Sequence, residues 1–113
     1  MEEIDRTTFA ELQAAAGAEF VAELVDTFLE EAPQMLAELR RALAEGNADR
    51  FRRAAHSLKS NGNTFGARAF AAMAKDLELG GMTPVQAASG KPLDALASEY
   101  ARVASALTEL QRG

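Results

Sequence analysis

Apolar residues recur along this chain at intervals of three and four, the spacing that lines one face of an α-helix. The pattern is clearest from about Ala18 to Ala44, where Phe20, Val21, Leu24, Val25, Phe28, Leu29, Met35, Leu36, Leu39 and Leu43 share a stripe. Pro33 lies inside that stretch. It removes one helical hydrogen bond and its ring clashes with the preceding turn, so the helix must kink or split there. The stripe resumes on the far side, which favours a kink. Ahead of it, a short helix is expected over about residues 6–16, following Asp5 or Thr8, with Thr8 and Glu11 in a capping box and Gly17 as its stop.

The stops that follow divide the rest of the chain. Gly46 reads as a C-terminal cap and Asn47 as the N-cap of a helix over about 47–62. The run "NGNTFGA" marks a break, with Thr64 as N-cap of a helix over about 65–79 that Gly80 and Gly81 end. Residues 80–91 are rich in turn formers and read as a loop with one helical turn. Pro92 suits the first turn of a last helix over about 92–111. The 113 residues fit one domain. The expected fold is all-α: four substantial helices on short links, most simply an antiparallel up-and-down four-helix bundle, with the short first helix across one end.

Charge changes the picture in one place. Seventeen acidic residues against twelve basic give −5, which argues against nucleic acid as the main partner. Acids dominate the first 45 positions, whereas Arg50, Arg52, Arg53, Lys59 and Arg68 form a basic segment. There is no cysteine, so a disulfide framework and a thiolate metal site are excluded, and a reducing cytoplasm fits. No basic leader with an apolar run opens the chain, and no stretch approaches the roughly 18 apolar residues of a spanning helix, so a cytoplasmic protein without a membrane partner is expected. The Met1 start is what a free-standing protein would show, and a domain cut from a larger kinase would look the same.

The basic segment surrounds the only histidine, His56, in "AAHSLKSNGNTFGA". On a helical wheel Phe51, Ala55, Leu58, Gly62 and Phe65 gather on one face, which must be the core face. His56 projects away from it, on the side of Arg52, Lys59, Ser60 and Asn63. An imidazole in water can attack through its neutral nitrogen. Lys59, one turn on, would offset the charge of an attached phosphoryl group. Small neighbours, Ser57, Ser60, Gly62 and Gly66, leave room for another protein to approach. The competing reading is an ordinary solvated surface histidine. A metal site is not expected, because only carboxylates could join His56.

His56, Leu58, Lys59, Ser60 and Gly66, in that order and spacing, resemble the motif of the histidine-containing phosphotransfer (HPt) domains of bacterial multistep phosphorelays. The resemblance spans most of residues 5–79 and weakens after Gly80. It implies a four-helix bundle with His56 exposed on its second core helix, accepting a phosphoryl group from a receiver-domain aspartate and passing it to another receiver. Lys59 would steady the phosphoryl charge, Gly62 and Gly66 would allow close approach, and Gln34 would hydrogen-bond near the site, with Ser60 and Asn63 as further supporting residues. Many members carry Gly where this chain has Ser60, which points to an extra hydrogen bond to the histidine or the phosphate. No cofactor is expected in this chain, Mg²⁺ being held by the partner receiver.

The implied partners are the receiver domains of a hybrid histidine kinase and a response regulator, meeting a monomer through a small, transient interface. Ser57 would flank the docking surface, and Arg52, Arg53 and Arg68 would steer the acidic mouth of a receiver. No Gly-rich phosphate loop is present, so autokinase activity is not expected. The alternative is a helical receiver- or kinase-binding module that acts as inhibitor or scaffold without phosphoryl chemistry. Such a module would usually lack the histidine or the lysine.

Overall fold

The computed structural model describes residues 3–112, and all its regular structure is helical: α1 (Arg6–Ala16), α2 (Ala18–Glu45), α3 (Ala48–Phe65), α4 (Arg68–Gly80), α5 (Met82–Ala87) and α6 (Lys91–Arg112). At 1.5 Å per residue the 28 residues of α2 set the 42 Å long dimension of the molecule. Pro33 does not split α2.

α2, α3, α4 and α6 pack in a closed ring, each on its two neighbours. Their directions follow from side-chain pairs. Phe28 meets Phe65 and Glu38 meets Arg50, so α2 and α3 run oppositely. Gly62 lies against Phe70 and Ala71 while Lys59 reaches Glu78, so α3 and α4 do too. Arg40 pairs with Asp94 and Phe28 with Tyr100, which reverses α6 against α2. Neighbours around the ring therefore alternate in direction.

Each of the four helices contributes one ring to an aromatic layer. Phe28 is its hub, with centroids 5.4 Å from Phe65, 6.1 Å from Phe70 and 5.8 Å from Tyr100. The Tyr100 hydroxyl donates to the Leu29 carbonyl at 3.3 Å. That carbonyl is the one whose helical donor would be the backbone N–H of residue 33, which proline lacks. Burial raises the Tyr100 phenol above its ordinary range. Val21, Val25, Phe28, Ala32 and Leu39 form the buried stripe of α2, and Phe20, expected on that stripe, lies off it and is 52% exposed.

Three local expectations need correction. The N-cap of α1 is Asp5, whose Oδ1 accepts from the N–H groups of Thr7 and Thr8; Thr8 is inside the helix and makes no capping box. α3 continues to Phe65, because its left-handed stop is Gly66 (φ +79°) and Gly62 stays helical. Thr64 therefore caps nothing: its Oγ1 donates to the Ser60 carbonyl, and α4 begins at Arg68 rather than at 65. Within residues 80–91 the expected helical turn is the short helix α5, and Pro92 stands in the first turn of α6, as expected.

The α3–α4 turn also anchors α1. The Asp5 N–H donates to the Gly66 carbonyl at 2.9 Å, and Asp5 Oδ2 pairs with Arg68 at 2.9 Å. A Cβ on Gly66 would stand 2.9 Å from Thr8 Cβ and 3.0 Å from the Asp5 carbonyl oxygen.

Candidate functional site

The core face of α3 is as its sequence dictates: Phe51, Ala55 and Leu58 are wholly buried and Phe65 nearly so. His56 stands off that face with its side chain 55% exposed. It is not free in solution. Its Nδ1 lies 2.7 Å from Oε2 of Glu78, near the end of α4, and Glu78 Oε1 accepts from Lys59 Nζ at 2.7 Å. One carboxylate thus bridges the histidine and the lysine, both bonds having the length of charge-assisted contacts.

Glu78 is the more sheltered member, 13% exposed against 25% for Lys59. The Lys59 ammonium bonded to it holds its carboxyl below the usual carboxylate range; burial opposes that, and the His56 bond adds to the lowering. An ionised carboxylate can only accept hydrogen bonds. A neutral ring in this contact carries its proton on Nδ1, which leaves the lone pair on Nε2. Lys59 is less exposed than its place on the wheel suggested, because its stem crosses to α4.

Glu78 is the site residue that sequence reasoning missed. The remaining expected residues fall into distinct groups. Ser60 and Asn63 are exposed, and the ring bonds to Glu78 rather than to Ser60. Gly62 and Gly66 are buried, so neither lines a partner's approach to His56. Gly62 instead admits α4: a Cβ there would lie 3.0 Å from Phe70 Cδ2 and 3.2 Å from Ala71 Cβ. Gly66 admits the start of α1.

Gln34 donates through Nε2 to the Glu30 carbonyl of its own helix, at 3.3 Å. It also lines a shallow groove with Glu31 and Met35 of α2 and Arg53, Ala54 and Ser57 of α3. Arg52 and Arg53 both pair with Asp49, whose carboxyl the Arg52 bond, then the Arg53 charge, hold below its usual range. Arg68 is taken up by Asp5, about 15 Å along α4 from Glu78 at 1.5 Å per residue, so it does not border His56. A larger cleft lies between Ile4 and Arg6 on one side and Arg102, Ala106 and Leu110 on the other, on elements that carry no residue of the His56 site. Among the described residues no group of three or more His, Cys, Asp or Glu could hold a metal ion, and no helix is long and apolar enough to cross a membrane.

A helix-borne, half-exposed imidazole with one nitrogen tied down and the other open is an acceptor's arrangement. The family model described as Hpt domain matches residues 23–112, a span that includes His56, Lys59 and Glu78. The chain belongs to the Hpt-domain family. Its structure is similar to the crystal structure of histidine-containing phosphotransfer protein B from Pseudomonas aeruginosa PAO1, at 27% sequence identity and a TM-score of 0.80, covering 97% of this chain and 95% of that one. A comparison with curated protein sequences gives no match. Membership in the Hpt-domain family accounts for the helical bundle and makes the chain a histidine phosphocarrier of phosphorelays.

Proposed function

We propose that His56 accepts a phosphoryl group on Nε2 from the aspartyl phosphate of one receiver domain and delivers it to the aspartate of another. The observation that carries this reading is the Nδ1–Glu78 bond, which leaves Nε2 as the open nitrogen of a half-exposed ring. Phosphoryl transfer of this kind requires positioning and charge stabilisation more than covalent help from the acceptor. The receiver supplies Mg²⁺ and an acidic pocket, and this chain supplies an oriented nitrogen.

Lys59, one turn from His56, keeps two ammonium hydrogens beyond the one it gives Glu78, and these would bond the phosphoryl oxygens while the Glu78 contact persists. The groove between α2 and α3, with Gln34, Met35, Ala54 and Ser57, supports docking of the receiver on that flank. Arg53 borders the same groove and fits steering of an acidic partner; Arg52, beside it, is also exposed. The protein works as a carrier without autokinase activity, in keeping with a chain that has no phosphate-binding loop.

The test is incubation of wild type and His56→Gln with a radiolabelled phospho-receiver and Mg²⁺. Label that appears only on wild type, is lost in acid and survives in alkali is the expected result. Equal binding of receivers by both proteins, with no label on either, would overturn it in favour of a non-phosphorylated binding module.

A further inference from the structure

We infer that Glu78 keeps a proton on Nδ1 of His56 throughout the phosphoryl cycle, so that the ring gains and loses the phosphoryl group without exchanging a proton with water. This rests on the reading of His56 as the acceptor, and it assigns to Glu78 a positioning and charge-compensating part in that reaction.

The geometry supports it from both sides of the carboxylate. Oε2 takes the Nδ1 hydrogen bond at 2.7 Å and Oε1 is fixed by Lys59 at 2.7 Å, so the group cannot turn away without breaking a second short contact. An amide in its place could either donate or accept and would permit both ring tautomers. A carboxylate permits one. Of the charged groups on the elements around His56, Glu78 alone bonds the ring. On α3 itself, Lys59 is on Glu78, and Arg52 and Arg53 are on Asp49. On α4, Lys75 and Asp76 are exposed, and on α2 Glu31 lines the groove that Ser57 also lines.

The electron balance gives the bond its consequence. The Nε2 lone pair forms the N–P bond as the P–O bond of the acyl phosphate breaks, its electron pair leaving with the receiver carboxylate. The product ring carries both Nε2–P and Nδ1–H and is therefore cationic, with its charge facing the Glu78 carboxylate. On discharge an oxygen of the second receiver's carboxylate forms the new P–O bond as the N–P pair returns to Nε2, and a neutral Nδ1–H ring is regenerated. No proton enters or leaves. Had Nδ1 lost its proton, the leaving group would be an imidazolate, which departs poorly, and discharge would wait for a proton from water.

The experiment uses ¹⁵N-histidine-labelled full chain, wild type and Glu78→Gln, phosphorylated with phosphoramidate, with Nδ1 protonation read from its ¹⁵N shift and one-bond N–H coupling. Transfer to a receiver is measured in parallel from about pH 6 to about pH 8.5, across and above the ordinary imidazole range near 6.5. In wild type Nδ1 stays protonated when phosphorylated and the transfer rate is nearly flat with pH. In Glu78→Gln the N–H coupling disappears toward pH 8.5 and transfer slows there by about tenfold or more, recovering toward pH 6 where water supplies the proton. A structural role alone would shift the rate equally at every pH.

Loss of the Nδ1 proton in phosphorylated wild type near pH 8 overturns the inference, and that measurement needs no variant to fold. Parallel pH profiles for the two proteins overturn it as well, while leaving His56 as the acceptor. If wild type takes no phosphoryl group on His56 from phosphoramidate or from any receiver, the reading it rests on has failed instead.

Discussion

Gly62 sets the spacing on which the His56 site depends, and replacing it by alanine puts this to a test. The added Cβ would stand 3.0 Å from Phe70 Cδ2, 3.2 Å from Ala71 Cβ and 3.4 Å from the Ala67 carbonyl oxygen. Carbon atoms in contact prefer about 3.5–4.0 Å, so α3 and α4 must separate by roughly 0.5 Å. Phe70 cannot yield in their place, being fully buried and packed on the rings of Phe28 and Tyr100. Overpacking of this kind costs about 1–3 kcal/mol, against a gain of about 1 kcal/mol from alanine's better helix propensity, so Gly62→Ala loses about 0–2 kcal/mol net. The same separation acts on the Glu78 bonds to Lys59 and His56, both 2.7 Å, one and two turns along the same interface. Stretched by roughly 0.5 Å, they leave the charge-assisted range of about 2.7–2.9 Å. Urea unfolding with unchanged m-value reads the stability, and the initial rate of His56 phosphorylation reads the site. A variant about 1 kcal/mol more stable than wild type, with an unchanged rate, would refute the claim that Gly62 fixes the α3–α4 distance.

Three further outcomes follow from the packing. Tyr100→Phe orphans the Leu29 carbonyl and costs about 1 kcal/mol, or about 4 °C in Tm; in a Pro33→Ala background, where an amide N–H can reach that carbonyl, the same change costs about half or less, and equal costs in the two backgrounds would sink the explanation. Gly66→Ala combines left-handed strain with contacts at 2.9 and 3.0 Å to α1, so it should lower stability by about 2 kcal/mol or more and raise hydrogen exchange first in α1; uniform exchange would count against the anchoring. Because the folded carboxyl of Glu78 titrates below its unfolded value, its contribution is present above about pH 4.5 and is lost as pH falls through the folded value. Acid unfolding of Glu78→Gln should accordingly lose part of the wild-type steepness below that pH, and superimposable curves would contradict it.

Much of the fold was legible because the signals were local. The period of α2, the stops at Gly17, Gly46 and Gly80–Gly81, and the Asn47 cap each depend on a few neighbouring residues, and the structure places them there. The outward side of His56 was legible for the same reason, since Phe51, Ala55 and Leu58 define the opposite face within two turns. Choices between adjacent capping residues were not. Asp5 outcompetes Thr8 as the cap of α1 through its bonds to Gly66 and Arg68, both some sixty residues away in the chain. The pairing of Tyr100 with the carbonyl left free by Pro33 likewise depends on α6 packing beside α2.

Glu78 was missed for a reason that can be traced to one turn. In an antiparallel hairpin the partner of a residue is its reflection through the connecting turn, so an error in the turn is doubled at the partner. With a break centred between residues 62 and 65, the reflection of His56 falls on Ala71, which offers no chemistry. With the stop at Gly66 and α4 starting at Arg68, it falls beside Glu78. The discriminating signal was present in the sequence. Of the two glycines, only one takes up a left-handed stop, and a glycine kept inside a helix is a place where another helix comes close. Assigning the stop to Gly66 and the close approach to Gly62 brings a carboxylate to the histidine and the lysine at once. The position of a cap three turns from the reactive nitrogen thus decides which side chain tunes it.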